Sequence, residues 1–373
     1  MIARRDLPLL LWALVPKAAM LLLLVAVGTR TVADERHVAA RLPGTPEAVW
    51  ILARAWDSNA YQQIAVQGYT DAFSRNYPPG YPLLVRAALA VTPNTQVAAV
   101  LVSNLAALLA LLVFVRLARR MAPDEDLLPA TLVFACLPGV LVWGTVAYTE
   151  STAILLALLG WWAYLAAERG PDAPRSAPRL LLASLLFGAA VMVRHLAGAT
   201  LLALGLIEAR RVLRRPAARR RALLEAAAAL AVVPAIAAYF VWKFTSQDLA
   251  SLQRDIWAMG FSPLGGVPSL LELIDPELLP VLLLTLPLCG LLIVGLARLD
   301  GRLATVAIVT LLVALSFTGI AAQSINRYAW SCWPLAFGAL RLRDRAAVWA
   351  LVGVLLMLSC WCGIGHVRGT LAL

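Results

Sequence analysis

Long apolar blocks alternate with short connections that are rich in either arginine or aromatic residues. Runs such as Leu9–Val27, Val97–Val115 and Val281–Leu296 approach the ~20 residues that span the hydrocarbon core of a bilayer. At that depth every backbone amide needs an internal partner, so a crossing segment is a helix or part of a closed barrel. These runs are unbroken Leu/Ala/Val stretches without the strand alternation of a barrel. The pattern predicts an all-α, polytopic membrane protein with about eleven spans: 8–28, 97–115, 127–146, 150–167, 179–193, 196–209, 222–243, 278–297, 303–321, 328–340 and 346–365.

Composition agrees. Of 373 residues, 61% are hydrophobic and 14% charged, against about 45–50% and ~25% for a soluble domain. Residues 1–28, with Arg4 and Arg5 before the apolar run, have the outline of a signal peptide. The run exceeds a signal h-region and more spans follow, so an uncleaved first helix is expected. The five cysteines, Cys136, Cys289, Cys332, Cys360 and Cys362, fall inside predicted spans and read as apolar packing residues.

Charge sets the orientation. The net charge of +11 does not point to nucleic acid, because the arginines cluster between apolar blocks, where topology accounts for them. With the N-terminus inside, the inner segments hold twenty basic and ten acidic residues, and the outer ones eleven of each. Cytoplasmic connections are the basic ones, so the N-terminus is expected in the cytoplasm. An odd span count then puts the C-terminus outside.

The whole chain, 1–373, reads as one multi-spanning membrane domain with two long outer connections, 29–96 and 244–277. Connections of that length are usually functional. The first carries Trp50, Trp56, Tyr61, Tyr69, Phe73, Tyr77 and Tyr81, which suit short helices lying at the interface. The inner stretch Pro171–Pro178 reads as a plain connector.

Five outer clusters can carry chemistry. Asp57, after Trp56 and four residues before Tyr61, suits a general base for a hydroxyl and equally a helix N-cap. Tyr77-Pro78-Pro79-Gly80-Tyr81-Pro82 forms a rigid turn whose aromatics either floor a pocket or anchor the next helix at the interface. Tyr148-Thr149-Glu150 puts an acid in a tight turn, which is costly there unless it has a role, and it also suits a cap. Arg194-His195 lies in a short hairpin; the arginine is a candidate phosphate ligand, with pairing to Glu150 or snorkelling outward as alternatives. Gln323, Arg327 and Tyr328 open the tenth span, as a second phosphate clamp or an interfacial anchor. Together, acids and guanidinium groups from four separate connections on one surface point to an anionic, hydroxyl-rich substrate. No His/Asp spacing supports dedicated zinc, no glycine-rich phosphate loop occurs, and no cofactor is expected.

With these residues in view, the chain resembles the PIG-V family of mannosyltransferases, the enzymes that add the second mannose to the glycosylphosphatidylinositol anchor, with bacterial and archaeal relatives. The resemblance lies in Trp56-Asp57, Ile64-Ala65, Gly68-Tyr69, the Tyr77–Pro82 segment, Ala147-Tyr148-Thr149-Glu150-Ser151, a looser Arg194-His195-Leu196-Ala197-Gly198, and Arg327-Tyr328. It departs from the family's Arg-Ser-Asn-Gly at Arg194–Gly198, and from its two aromatics at Tyr77-Pro78. The resemblance implies the GT-C glycosyltransferase fold in the plasma membrane of a prokaryote, with the site on the external side. It implies a polyprenyl-phosphate-linked sugar as donor, a glycolipid or glycan as acceptor, and inverting transfer with Asp57 as base. Arg327 and Arg194 would hold the donor phosphate. Trp56, Tyr61, Tyr77, Tyr81, Tyr148, Glu150, His195, Gln323 and Tyr328 would line the substrate site.

Two other classes compete. A transporter or lipid flippase needs polar residues deep in several spans, whereas here only Lys17 sits well inside one. A non-catalytic partner subunit has no need of the acid and base set. Within the transferase class, an enzyme acting on protein or lipid A is the remaining alternative.

Overall fold

The computed structural model describes residues 6–30, 39–54, 56–71, 73–168, 170, 173–245, 262–265, 268, 279–317, 324–342 and 344–368. Their regular elements are all helical: α1 (Leu7–Gly28), α2 (Glu47–Ala53), α3 (Asp57–Gln67), α4 (Gly80–Ala88), α5 (Thr95–Met121), α6 (Leu128–Cys136), α7 (Pro138–Leu141), α8 (Glu150–Ala167), α9 (Ala177–Val193), α10 (Gly198–Leu213), α11 (Arg219–Ala229), α12 (Val233–Thr245), α13 (Leu279–Leu299), α14 (Gly301–Ala314), α15 (Ile325–Trp330), α16 (Leu335–Gly338) and α17 (Arg345–Arg368). The chain is an all-α polytopic membrane protein.

Each of the eleven apolar segments contains helix among its described residues, but they are not equivalent. The helices α1, α5, α8 and α17 are long and apolar enough to cross a membrane singly. The α11–α12 pair qualifies as one span bent by 47°, with Pro234 near the break, where its missing N–H interrupts the ladder. The segments 127–146 and 328–340 are broken outright.

Both breaks have a local cause. Leu137 is extended (φ −57°, ψ 128°), as a residue before proline prefers, and Pro138 starts α7 on a new axis. Residues 142–147 continue in turns and reach Tyr148 and Glu150. Across from this bend lies the break between α15 and α16. A Cβ on Gly139 would fall inside contact distance of the Trp330 carbonyl, so the two broken segments touch backbone to backbone. Trp330 donates its indole N–H to Thr285 (3.1 Å), fixing α15 against α13. Gly295 and Gly338 bring α13 and α16 equally close.

Helices α1 and α17 run parallel. Arg54, buried, donates to the carbonyls of Gly28 and Val367 near their C-terminal ends (3.3 and 3.2 Å). The start of α1 and the end of α17 therefore lie at opposite ends of the bundle. Lys17, inside α1, donates to the Gly144 carbonyl and the Thr145 hydroxyl (2.9 and 3.3 Å), which satisfies its charge within the protein.

Between α1 and α5, the short helices α2, α3 and α4 cover one end of the bundle. Ser58 and Gln62 both donate to the Ala53 carbonyl (2.9 and 2.7 Å), clamping the α2–α3 corner. The second long connection, 244–277, falls mostly outside the described residues. Within it, the amides of Ser262 and Leu264 bond to Ser316 just beyond α14 (2.9 and 3.3 Å).

At the opposite end, Pro171–Pro178 is more than a connector. Arg175 is buried, with two nitrogens on the Glu208 carboxylate (2.7 and 2.5 Å) and its Nε on Glu225 (3.0 Å). Tyr164 also donates to Glu208 (2.5 Å). This network joins α8, α10 and α11 to the 173–176 strap. The pattern Pro-Arg-Ser-Ala-Pro gives no sign of it, because the carboxylates that capture Arg175 lie 33 and 50 residues away.

Candidate active site

Five chain segments deliver polar groups to the α3 end of the bundle. Trp56 occupies the left-handed region (φ 56°, ψ −137°), a conformation costing a non-glycine residue of order 1–3 kcal/mol. That turn ends the corner after Arg54 and starts α3 at Asp57. The Asp57 amide donates to the Tyr148 hydroxyl (3.3 Å), and no side-chain cap bond forms at this helix start. Asp57 is the first helical residue, with Trp56 at the cap position. Its carboxylate accepts from the Tyr77 hydroxyl at Oδ1 (3.2 Å) and from Arg327 at Oδ2 (3.5 Å). It is 31% exposed, whereas the side chain of Glu150 is 0% exposed.

Glu150 is the buried centre. Its Oε1 lies 2.9 Å from Nη1 of Arg194 and 3.5 Å from Nε of Arg327, and Thr149 donates to Oε2 (3.3 Å). Arg194 also donates to the Thr149 hydroxyl (3.0 Å). Arg194 caps α9 with extended backbone (φ −151°, ψ 120°), which turns its side chain across the bundle end. Both guanidinium groups lie over the Tyr328 ring, at 5.5 and 5.6 Å, and Arg327 also lies over Tyr148 at 5.7 Å. A buried carboxylate shared by two guanidinium groups is a rigid unit, because removing either partner strands a charge away from water.

The aromatic turn 77–82 is seated on this unit by backbone contact. A Cβ on Gly80 would meet the Met192 carbonyl, so α4 starts directly against the end of α9. Tyr61 stacks edge-on with Tyr77 and Tyr81 at 5.1 and 5.2 Å. Burial, and then the Asp57 charge, push the Tyr77 phenol far up, so it remains a protonated donor to Asp57. Tyr81 is wholly buried, and its hydroxyl bonds to the Ala99 carbonyl and Ser103 (2.9 and 2.7 Å). It supports the site from beneath and presents no surface to a ligand.

Ser103 is the residue sequence reasoning missed. Its hydroxyl donates to the Tyr148 carbonyl and accepts from the Tyr148 amide (2.7 and 3.0 Å), and its own carbonyl accepts from Ser151 (2.8 Å). It fixes the turn that carries Tyr148 and Glu150. A lone serine in an apolar helix gives no signal beyond its polarity.

His195 is held by a separate set of contacts. Its Nε2 contacts the Lys243 amine (3.2 Å), and Lys243 donates to the Asn76 carbonyl (2.7 Å). Phe240 packs edge-on against the ring at 5.2 Å. Burial, Lys243 and Arg194 together hold the His195 pKa well below its usual value. Gln323 lies outside the described residues. Beside Glu150 and Arg194 a small crevice of about 30 Å³ lies between α8, α10 and α14, lined by Ile154, Leu196 and Trp333 together with Thr200, Thr310 and Ser331. Among the described residues, no group of three or more His, Cys, Asp or Glu is placed to hold a metal.

Comparison with known proteins is sparse. No family model matches the chain and no curated protein matches by sequence. Among solved structures, the crystal structure of ArnT from Cupriavidus metallidurans bound to undecaprenyl phosphate aligns with a TM-score of 0.49 at 13% identity. The alignment takes in 94% of this chain and 64% of that one, so the chain spans less than two thirds of the length of the structure it matches.

Proposed function

We propose that this chain is a membrane glycosyltransferase that moves a sugar, mannose in our reading, from a polyprenyl-phosphate donor to a glycolipid or glycan hydroxyl. The N-terminus would be cytoplasmic and the site external. One observation carries the reading: a partly exposed carboxylate, Asp57, sits 3.5 Å from a guanidinium that is itself fixed to the buried Glu150. That is a base beside a prepositioned cation.

The chemistry follows from those positions. The acceptor oxygen attacks the anomeric carbon as its proton passes to Asp57. The bond from that carbon to the phosphate oxygen breaks on the opposite face, inverting the centre. The leaving polyprenyl phosphate gains a negative charge, which Arg327 neutralises. Donors already in place at the point of charge development need no reorganisation during reaction. Arg194, tied to Glu150 and Thr149, holds Arg327 in position through their shared carboxylate. Tyr77 keeps Asp57 oriented, and Tyr148 and Tyr328 wall the cations.

Purified protein incubated with radiolabelled polyprenyl-phosphate-mannose and lipid acceptors tests this. Label moving to an acceptor is the expected result. Donor crossing the bilayer of proteoliposomes without transfer would establish a flippase instead.

A further inference from the structure

The opposite end of the bundle holds a second polar cavity with a different character. It has a volume of about 620 Å³ between the ends of α10 and α14, and Arg210, Arg211, Arg214, Arg215 and Arg302 line it with only Glu168 and Asp300 as acids. Those acids are already engaged, because Arg302 pairs with both (2.6 and 2.9 Å). Arg211 is held by Glu225 from behind the wall (3.0 Å). Arg210 and Arg214 have no ion pair among the described residues, and both are exposed.

The approach to this cavity is apolar. Leu202, Leu206, Arg210 and Arg214 follow one another at four-residue spacing, which puts them on one face of α10. Leu202 and Leu206 are about half exposed. On α14, Ile308 and Leu312 are similarly exposed, one and two turns along from Thr305 at the cavity wall. Two outward apolar stripes thus converge on a basic recess at the end of the spans. Acyl chains laid along the stripes would place a headgroup phosphate against Arg210 and Arg214. Basic recesses between helices at the membrane surface match anionic lipid headgroups in this way.

We propose that this cavity is a binding site for an anionic phospholipid, with Arg210 and Arg214 on its phosphate and the α10 and α14 stripes along its chains. The site is independent of Asp57 and of the transfer reaction. Arg302 and Arg211, already paired, shape the recess.

The test uses the full-length protein in detergent, titrated with phosphatidylglycerol and followed by native mass spectrometry. Wild type is expected to retain one phosphatidylglycerol and no phosphatidylcholine. The R210Q/R214Q double variant is expected to bind at least tenfold more weakly. R219Q/R220Q, which removes two exposed arginines from the neighbouring α11, is expected to bind like wild type. Equal binding by R210Q/R214Q overturns the site, and equal loss in R219Q/R220Q reduces it to surface charge. Full displacement of the lipid by millimolar inorganic phosphate would make it a free-phosphate site and overturn the lipid proposal. A photoactivatable phosphatidylglycerol analogue on wild type gives a readout that needs no variant: label is expected on the peptide containing Leu206–Arg215, and label only elsewhere refutes the assignment.

Discussion

Arg327 lies 3.5 Å from the carboxylate of Asp57 across 270 residues of sequence. The contact joins the two longest-separated parts of the site, the 29–96 connection and the start of the tenth apolar segment. It also sets the most direct prediction. Asp57→Asn keeps the shape and the Tyr77 contact but cannot take a proton. Transfer from labelled donor is expected to fall ~10²–10⁴-fold, the usual contribution of a positioned acid or base, while donor binding and expression stay near wild type. Near-normal turnover would remove Asp57 from the role of base.

Arg327 is held by two carboxylates, so charge alone does not describe it. A lysine at this position keeps the charge but lacks the planar fork that meets Asp57 and Glu150 together. Arg327→Gln is expected to cost ~10²–10³-fold in kcat, the scale for losing one prepositioned donor. Arg327→Lys should recover part of that loss without reaching wild type. Steady-state kinetics of the pair decides the matter; a lysine variant equal to wild type would reduce Arg327 to a simple cation.

Helicity and the apolar spans were legible from the long apolar runs, and Asp57, Glu150, Arg194 and Arg327, which meet at one bundle end, from their polarity beside those runs. Asp57, Glu150, Arg194 and Arg327 all carried a visible cost in an apolar setting, which is why they stood out. The Arg194–Glu150 pair was one of the alternatives read from sequence, and the structure has it at 2.9 Å; the approach of Arg327 to both Asp57 and Glu150 was not legible. Asp57 looks like a cap, but the cap position falls on Trp56 in the left-handed region, and a left-handed tryptophan leaves no mark in sequence. The breaks at Leu137 and after Trp330 were also hidden, because hydropathy averages over a bend in an apolar run. Ser103 and Arg175 matter through partners far along the chain, and single-sequence patterns do not contain such distances. His195 adjoins Arg194 in sequence, yet a short 3₁₀ turn sends the two side chains to different neighbours.

The broken segments depend on glycine. Gly338 packs its backbone on the Leu292 carbonyl of α13, and a methyl group there has no room. Because the obstacle is backbone, relief requires α16 to move, along with the short α15 that carries Arg327. Gly338→Ala is expected to destabilise by about 1–3 kcal/mol, the range for overpacking a closed interior, and to lower activity as well. Gly290, also in α13 but with nothing near its Cβ direction, is the control: Gly290→Ala should leave the thermal midpoint within a degree or two of wild type. Equal midpoints for both variants would refute the close-packing account.

At the other end, Arg175 ties α8, α10 and α11 together. Arg175→Met removes the cation and leaves Glu208 and Tyr164 buried without it. Breaking one partner of a buried pair costs about 3–5 kcal/mol, so a marked fall in thermal midpoint is expected. Converting the pair together, Arg175→Met with Glu208→Leu, should recover much of that loss, because the stranded charge goes with its partner. If the double variant is no more stable than the single one, the cost lies in lost packing and not in an unpaired carboxylate.

His195 supplies a pH signature distinct from catalysis. Its folded pKa is depressed by burial, by Lys243 and by Arg194, so folding favours the neutral ring. The unfolded chain binds the proton near the ordinary value of about 6.5. Stability is therefore fully present above that pH and declines as pH falls through and below it, since the unfolded state takes up the proton first. His195→Gln removes this proton uptake. The expected outcome is a flatter dependence of thermal midpoint on pH between about 6.5 and 4.5, with wild type and variant differing most in slope at the acid end. Parallel curves for the two proteins would mean that folded His195 takes up its proton as readily as the unfolded chain does, which would refute the depressed pKa.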